Sequence, residues 1–557
     1  MKKRFRILIL AITLTVTSTI SIGFVDHYFE IAKHIDIFTT LYKELNTFYV
    51  DETNAGDLMK KGIDEMLKSL DPYTKYIPES EIEDFRFQTT GQYGGIGAMI
   101  SRIEDYVIIS EPYENFPAQK AGLIAGDKIL EINGVTAIGK TTEEVSKVLK
   151  GQPNTLVTIL IERPHLEEPF EVSFNREKVS VPSVPYSEYI KDGIAYIRLR
   201  SFTRNCSKDL KNAIIELKKN QELKGLILDL RGNPGGLLNE SVNIVNLFVE
   251  KGEEVVSTKG KIKSWDKSYI AHNTPLDTEI PLAVLINSSS ASASEIVSGS
   301  IQDLDRGVII GQRSYGKGLV QQTRKLSYNS QLKLTVAKYY IPSGRCIQAL
   351  DYSDRNEDGS VGKIADSLMT SFFTRNGREV KDGGGILPDI VIELEKYGMI
   401  IPSLLKERLF FHYATDYRFL NDSISDDFVF SELDFIDFKT YISDKDYTYK
   451  TETEIALKEL KKEAEEEGYF SALSEEYDVL FEKMKENKND DLQKNKYDIQ
   501  EILTSEILSR YYYQKGRIKA GLNFDNEVKK AIEILLDSEK YAQILDKEGA
   551  EKPNKRN

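Results

Sequence analysis

Two short apolar runs in the middle of the chain each lead into a turn rich in small residues and then into a segment with helical spacing. The runs are Gly225–Arg231 and Leu282–Asn287, and turn residues bound both of them, so they predict buried parallel strands. Apolar positions recur at helical spacing in Leu237–Val249 and again in Glu295–Leu304. This order of strand, turn and helix predicts an α/β core.

In the stretch from Gln92 to Arg163, the apolar segments are shorter than in the core and are separated by more turn residues. It predicts strands at Asp105–Ser110, Gly126–Gly134 and Thr155–Arg163, and helices at Pro117–Leu123 and Thr142–Leu149. At its start, Tyr93-Gly-Gly-Ile-Gly97 predicts a strand that begins with a glycine loop. The amides of Gly95, Ile96 and Gly97 are candidates to bind a peptide carboxylate, while the strand edge accepts the peptide as an added strand.

Helical spacing also marks both ends of the chain. Near the N-terminus it covers 31–46 and 56–70, which predicts a helical N-terminal region. From about Asp446 onward Glu, Lys, Leu and Ala dominate, and opposite charges at i,i+4 spacing predict solvated helices. The polar stretch Asn487–Asn495 predicts a loop between these helices, and the tail after Gly549 is expected to lack order.

Residues 7–24 form an uncharged apolar run that follows the basic segment Lys2–Arg6. The length of the run lies between that of a signal-peptide core and that of a membrane span, and no Ala-x-Ala cleavage signature follows. The preceding positive charge predicts a cytoplasmic N-terminus. A retained anchor is favoured over a cleaved signal, so we expect a cell-envelope protein on the periplasmic side of the inner membrane.

Composition narrows the classes of partner and cofactor. A net charge of −14 and a pI near 5.2 argue against nucleic acid and anionic membrane surfaces, because both would repel the chain. The two cysteines, Cys206 and Cys346, provide neither a disulfide framework nor metal-ligand spacing, and no His/Cys/carboxylate cluster has such spacing. We therefore expect no metal and no other cofactor.

The segment Ser290-Ala-Ser-Ala-Ser-Glu295 offers Ser292 as a nucleophile, which requires a base to take its proton. Of the five histidines, only His272 falls in the same predicted domain, within a polar stretch that predicts a surface loop. Lys317 is the favoured base, provided that burial lowers its pKa to roughly 7–8. Gln321 lies four residues beyond Lys317, so in an extended strand its amide would be on the side of the lysine and would orient it.

The turn Gly232-Asn-Pro-Gly-Gly236 follows the first strand and precedes a helix. Backbone N–H groups in such a turn lack intrahelical partners, which suits them to stabilise a developing oxyanion. Ser292 would lie at the corresponding turn of the second strand, where Ala293 supplies another N–H group. A plainer interpretation remains open for each motif, because Lys317 also fits an ordinary hairpin lysine and Ser292 an ordinary helix cap.

The segments LDLRGNPGG, NSSSASASEIVSGSIQDLDRGVIIG, SYGKGLVQQ and GGGILPDI, in this order, resemble the core of the carboxyl-terminal processing proteases, also called tail-specific proteases. The resemblance implies that Ser292 is the nucleophile, Lys317 the general base and Gln321 the support of the lysine. It also implies an oxyanion hole formed by the amides of Gly236 and Ala293.

A second resemblance covers the glycine loop and AGLIAGDKILEING, which follows it at the spacing of a circularly permuted PDZ domain. The chain departs from the protease pattern at Tyr315, where phenylalanine is usual. We expect the aromatic ring of Tyr315 to keep the role of covering the lysine.

Together these features predict a multidomain α/β protein with five parts. They are an anchor or signal peptide at 1–24, a helical N-terminal region at 25–89, a PDZ domain at 90–175, a serine–lysine protease core at 176–392 and a mainly helical C-terminal extension at 393–557. The expected function is that of an envelope serine endopeptidase that binds accessible, apolar substrate C-termini and cleaves through an acyl-enzyme. The alternative is a non-catalytic PDZ scaffold; a homo-oligomer and an adaptor are further candidate partners.

Overall fold

The computed structural model describes residues 28–355, 361–393, 397–445, 447 and 449–546. The predicted anchor at 7–24 and the tail after Gly549 lie outside these residues. The chain divides into two compact units, one made of the residues up to Pro78 with Thr323–Leu334, the other of Glu79–Gln322 with the residues from Thr335 onward. None of the helices in the described residues is long and apolar enough to cross a membrane.

The first unit contains the two helices predicted near the N-terminus, at 28–48 and at Ala55–Lys68. Asn54 caps the second helix by accepting a hydrogen bond from the Asp57 amide. The strand Lys75–Ile77 pairs antiparallel with residues 331–333. Several large apolar side chains of the 28–48 helix are exposed, namely Phe29, Ile31, Ile35, Phe38 and Leu41.

In the second unit, an antiparallel sheet with two short helices follows the glycine loop. Its strands in spatial order are Ala98–Ile103, Tyr106–Pro112, Lys128–Ile132, Leu156–Glu162 and Phe170–Asn175, and Val135–Thr136 pairs with the third. The predicted helices are present at Pro117–Lys120 and Thr142–Leu149, the latter opened by a capping box of Thr141 and Glu144. Asn133 and Gly134 both have positive φ, in the predicted turn.

A six-stranded sheet forms the centre of the predicted protease core. Its strands in spatial order are Tyr186–Lys191, Ile194–Arg198, Gly225–Asp229, Leu282–Ile286, Val308–Gly311 and Ile390–Val391. The first pair is antiparallel and all other pairs are parallel, which confirms the predicted parallel strands. The four inner strands are buried because helices cover the sheet on both faces.

The two faces are covered by different parts of the sequence. On the face that we call the helix-rich face, Cys206–Asn220, Leu238–Val245 and Ala293–Asp303 pack against the strands. On the opposite face, which we call the extension face, the helix Asn526–Leu536 of the C-terminal extension packs instead. Ile534 of this helix is fully buried against strand residues such as Ile227 and Leu285.

Smaller elements complete this region. Further strands are Glu254–Gly260, Lys267–Ile270, Leu319–Lys325 and Gln331–Tyr340, with two-stranded pairs Gln92–Gly95/Glu177–Ser180, Leu350–Arg355/Val361–Lys363 and Ser371–Phe373/Glu379–Lys381. Single 3-10 turns cover Glu79–Glu81, Lys263–Trp265 and Asp366–Leu368. Cys206 is buried, Cys346 is half-buried, and both are free thiols.

The C-terminal extension is helical, as predicted, but it has a core of its own. Its helices are Ile400–Lys406, Leu409–Leu420, Glu432–Ile442, Glu452–Glu466, Phe470–Asn489, Asp491–Lys494, Lys496–Leu522, Asn526–Leu536 and Ser538–Leu545. Aromatic residues such as Phe410, Phe430, Phe435 and Phe438 are buried in it. The extension therefore contains a packed core, whereas its charged helices Glu452–Glu466 and Phe470–Asn489 are largely exposed, as predicted.

The predicted loop at Asn487–Asn495 is wrong, because this stretch is almost entirely helical. Its polar composition favours solvent but does not forbid a helix, and tertiary contacts decide the outcome. The Lys488 ammonium lies 3.2 Å from a Glu454 carboxylate oxygen and 4.2 Å from the centre of the Tyr449 ring. These contacts hold the end of the Phe470–Asn489 helix against its neighbour.

Candidate active site

Ser292 occupies a turn between the strand Leu282–Ile286 and the helix Ala293–Asp303, which confirms its predicted position. Its φ of 56° and ψ of −111° lie outside the regions that residues with a side chain usually adopt. Such strained residues concentrate at functional sites, where the surrounding structure has to hold them. The turn leaves the Ser292 side chain half-buried at the start of a fully buried helix.

The buried carboxylate of Glu295 connects the serine turn with the lysine turn. One of its oxygens accepts hydrogen bonds from the Ser292 amide at 2.7 Å and from the Lys317 amide at 2.9 Å. The other accepts from the Gly316 amide and from the Ser314 hydroxyl, each at 2.6 Å. The backbones of the two predicted catalytic residues are thus held against the same carboxylate oxygen.

The environment of Glu295 makes its charge sensitive to pH. Burial raises the pKa of this carboxyl to about 7, although the hydrogen bonds from Ser314, Lys317, Gly316 and Ser292 act in the opposite direction. All four donors require an acceptor, so the ionised carboxylate satisfies each of them. Burial therefore favours the neutral carboxyl, whereas the four hydrogen bonds favour the ionised form.

The predicted oxyanion turn lies directly against the Ser292 turn. A Cβ atom on Gly235 would be 2.9 Å from the Ser292 Cβ and 2.6 Å from the Ala291 carbonyl oxygen, so only glycine fits there. Asn233, which is fully buried, fixes this contact. Its carbonyl accepts hydrogen bonds from the Ala291 amide at 3.0 Å and the Ser294 hydroxyl at 2.8 Å, and its side chain accepts from the Gly235 amide at 2.9 Å.

The two amides predicted for the oxyanion hole come from adjacent segments. Gly236 forms a parallel bridge with Phe202, in which the Gly235 carbonyl accepts from Phe202 and the Leu237 amide donates to Phe202. The Gly236 amide lies between these bonds and is directed to the other side. Ala293 is the first residue of its helix, so its amide has no intrahelical acceptor.

Lys317 lies in the turn before the strand Leu319–Lys325 and is half-buried. Gln321 lies within that strand, and its side-chain amide donates a hydrogen bond to the Thr335 hydroxyl at 3.2 Å. Tyr315, which we expected to cover the lysine, has about half of its surface exposed. The water exclusion expected from this ring is therefore incomplete.

The remaining candidates identified in the sequence do not extend this site. His272, the alternative base, is exposed in the segment that follows the strand Lys267–Ile270. The Cys206 thiol is buried beside the Glu240 carboxylate; burial, followed by this charge, raises its pKa. Within the described ranges, no group of three or more His, Cys, Asp or Glu side chains is placed to hold a metal ion.

The predicted peptide-binding loop lies at one end of an edge strand. Gly95 ends the strand Gln92–Gly95, and Ile96 and Gly97 connect it to Ala98–Ile103, which is at the edge of the antiparallel sheet. The helix Thr142–Leu149 lies alongside this edge strand. Addition of a peptide as a further strand requires an edge strand, and Ala98–Ile103 is one in the sheet that the structure describes.

Two residues that connect the parts of the site have no role in the sequence-based prediction. Glu295 stands three positions after Ser292, the spacing of a capping box, which would have indicated a bond back to the Ser292 amide. Asn233 stands in a glycine turn, where asparagine side chains commonly bind the backbone two residues on. Neither pattern predicts the bonds of these residues to distant segments.

Comparison with protein families assigns three regions of the chain. Residues 193–353 match peptidase family S41, residues 108–163 match a PDZ domain, and residues 400–535 match the C-terminal helical domain of probable PDZ-proteases. These matches confirm the predicted combination of a protease core, a PDZ domain and a helical extension.

Relatives with similar sequences have consistent names. A carboxy-terminal-processing protease of Bartonella bacilliformis is 37% identical over 321 residues, which cover 57% of this chain and 73% of the relative. A probable CtpA-like serine protease of Staphylococcus aureus is 37% identical over 310 residues, which cover 55% of this chain and 61% of the relative. Among solved structures, the photosystem II D1 C-terminal processing protease matches with a TM-score of 0.36 and 26% identity, over 65% of this chain and 93% of that one. The chain belongs to the carboxy-terminal-processing proteases of peptidase family S41, and it is a serine-type peptidase.

Proposed function

We propose that this peptidase is an endopeptidase of the cell envelope that binds substrate C-termini through its PDZ domain and cleaves with Ser292 as nucleophile and Lys317 as base. The observation that carries the proposal is the Glu295 carboxylate, one oxygen of which binds the amides of both residues. Through this one acceptor, two turns separated by 25 positions lie together, as a serine and its base require.

In the proposed reaction, Ser292 Oγ attacks the carbonyl carbon of the scissile peptide bond while neutral Lys317 Nζ takes the hydroxyl proton. The amides of Gly236 and Ala293 donate hydrogen bonds to the resulting oxyanion. The C–N bond then breaks, and the lysine returns the proton to the leaving amine. Water hydrolyses the ester formed with Ser292 and releases the new C-terminal carboxylate, and Gln321 supports the lysine throughout.

Substrate selection is proposed to occur along the edge strand Ala98–Ile103, beside the helix Thr142–Leu149. The amides of Gly95, Ile96 and Gly97 would bind the terminal carboxylate, and the strand edge would bind the preceding residues. Partly buried Ala98 and Ile100 pack on the apolar core of this domain, and Val148 of the helix is exposed. Because apolar side chains lie on this strand and this helix, we expect substrates with apolar C-terminal residues.

The envelope location, the anchor at 7–24 and the residue limits of the five parts stay predictions from the sequence. Self-association is proposed for the first unit, because the exposed apolar side chains of the 28–48 helix form a surface that water disfavours. An adaptor that binds the helical extension stays a further proposal.

The test is cleavage of an unfolded model protein by the full-length chain, with one version of the substrate ending in apolar residues and one in acidic residues. We expect Ser292→Ala and Lys317→Ala each to lower kcat by roughly 10³-fold or more, while folding stays intact. Ser288→Ala and Lys261→Ala remove exposed residues of the same types and should leave cleavage unchanged.

Comparison of the two substrates tests recognition separately from chemistry. An apolar C-terminus should lower KM relative to an acidic one. Equal cleavage of both substrates would contradict C-terminal docking, and activity retained in either alanine variant would contradict the dyad. If the unmutated chain binds the apolar tail without cutting it, the scaffold alternative replaces the proposal.

A further inference from the structure

Tyr339 lies near the end of the strand Gln331–Tyr340 and is 1% exposed. Its hydroxyl donates a hydrogen bond to the Lys317 carbonyl oxygen at 2.7 Å and lies 3.2 Å from the Ser292 carbonyl oxygen, within hydrogen-bond distance of both. Its amide also donates to the Gly318 carbonyl at 2.9 Å. One buried side chain therefore contacts the backbone of both proposed catalytic residues.

We propose that Tyr339 is a positioning residue that sets the separation between the Ser292 turn and the Lys317 turn. The inference rests on the proposed function, since it assigns a role toward the Ser292 and Lys317 pair. Tyr339 does not touch the reacting atoms in this scheme; it acts through the peptide groups that carry them.

The contacts of Tyr339 complement those of Glu295. Glu295 accepts from the amides of Ser292 and Lys317, whereas the Tyr339 hydroxyl lies against the carbonyl oxygens of the same two residues. The Ser292 carbonyl also accepts from the Ile296 amide at 2.9 Å in the first turn of its helix. Tyr339 thereby connects the lysine turn to the start of the helix that holds the serine.

Packing alone does not account for the hydroxyl. The Tyr339 ring belongs to the core of the helix-rich face, and a phenylalanine would fill the same space. A buried hydroxyl requires a hydrogen-bond partner, and any of several carbonyl groups would satisfy it. Its position between these two carbonyls links it to the distance between the Ser292 turn and the Lys317 turn. That distance matters because small displacements of reacting groups lower rates strongly.

The test uses Tyr339→Phe, which removes the hydroxyl and keeps the ring, in the full-length chain with the unfolded apolar-tailed substrate. We expect kcat to fall roughly 10- to 100-fold with KM changed less than about twofold. The acid-side midpoint of the pH profile of kcat/KM should also move upward, because a displaced lysine turn admits more water to Lys317. Tyr340→Phe is the matched control, since Tyr340 is next in sequence and half-buried under the Lys259 ammonium.

Thermal unfolding is measured on all variants to separate positioning from stability. A Tyr339→Phe protein with unchanged kcat and pH midpoint would overturn the inference, as would one whose activity returns fully at a temperature below its lowered Tm. Ser292→Ala and Lys317→Ala are assayed in parallel. If they remain active, the proposed function fails; if they are inactive while Tyr339→Phe behaves like the unmutated chain, only the role of Tyr339 fails.

Discussion

The two faces of the six-stranded sheet differ in where their covering helices come from and in what those helices do. On the helix-rich face, the helices follow their strands directly in sequence, and one of them begins directly after Ser292. On the extension face, the helix Asn526–Leu536 follows the strand Leu282–Ile286 by more than two hundred positions. The proposed catalytic serine thus follows a local strand-to-helix connection, whereas the opposite face of the sheet is covered by the C-terminal extension.

Two buried carboxylates, one near the start of a helix and one at the end of a strand, show the same contrast. Glu295, on the helix-rich face, accepts only uncharged donors, and burial raises its pKa to about 7. Asp229, at the end of the strand Gly225–Asp229, is also fully buried. Burial alone would raise its pKa, but the charge and hydrogen bonds of Arg231 outweigh that effect and lower it.

Arg231 extends the charged cluster to the extension face. Its guanidinium binds Asp229 at 2.8 Å, Asp525 at 2.6 Å and Glu527 at 3.3 Å, and the last two residues flank the start of the Asn526–Leu536 helix. The ion pairs therefore join the segment before the oxyanion turn to the helix that closes the sheet. We therefore expect substitutions on the helix-rich face mainly to lower activity, and substitutions on the extension face mainly to lower stability.

The largest effect is expected from Glu295→Gln. Each carboxylate oxygen of Glu295 accepts hydrogen bonds from two donors. The glutamine amide replaces one oxygen by an NH₂ group, which cannot accept, so two of these hydrogen bonds are lost and the connection between the serine and lysine turns weakens. We expect kcat/KM to fall roughly 100-fold or more, with retained secondary structure by circular dichroism. Glu250→Gln, at an exposed position, is the control. A decrease in kcat/KM of less than about threefold in Glu295→Gln would contradict the link between the helix-rich face and activity.

A smaller activity effect and a larger stability effect are expected from Arg231→Met. Without the guanidinium, Asp229 and the two carboxylates of the extension are left beside one another in a buried place. We expect the free energy of unfolding to decrease by roughly 3–5 kcal/mol in urea titrations. Arg204→Met removes an exposed arginine and should change it by less than about 0.5 kcal/mol. An Arg231→Met protein with unchanged stability but low activity would contradict the link between the extension face and stability.

The smallest effect is a pH dependence that sharpens the contrast between the carboxylates. The pKa of Glu295 is raised in the folded state from an ordinary 4.5 to about 7. Its stabilising contribution is therefore fully present below pH 4.5 and is lost as the pH rises through 7, by on the order of 3 kcal/mol. Asp229 has the opposite sign: its lowered pKa contributes stability above its ordinary value of 3.8, which is lost as the pH falls.

The measurement is the free energy of unfolding of the unmutated chain minus that of Glu295→Gln, taken between pH 4.5 and pH 8. This difference isolates Glu295 from the other titrating groups, Asp229 included. It should decrease as the pH rises, and a difference that stays constant across this range would contradict the raised pKa.

Most secondary structure of the sheet domains could be predicted because it depends on neighbouring residues. The helix Thr142–Leu149 has the predicted limits, and the turn at Asn133 and Gly134 has the backbone that this pair favours. The same reasoning gave the wrong result at Asn487–Asn495, since the contact of Lys488 with Glu454 joins residues that are 34 positions apart in the sequence.

The sequence by itself determined the order of domains, the parallel strands of the core and the candidates Ser292 and Lys317, because periodicity and short motifs report on chemistry within a few residues. Only the tertiary structure decided that Glu295, Asn233 and Tyr339 connect the turns of the site, and that a C-terminal helix closes the sheet. Those contacts join segments that are distant along the chain, where the partner of a buried polar or apolar group is set by packing of the whole fold rather than by its neighbours in sequence.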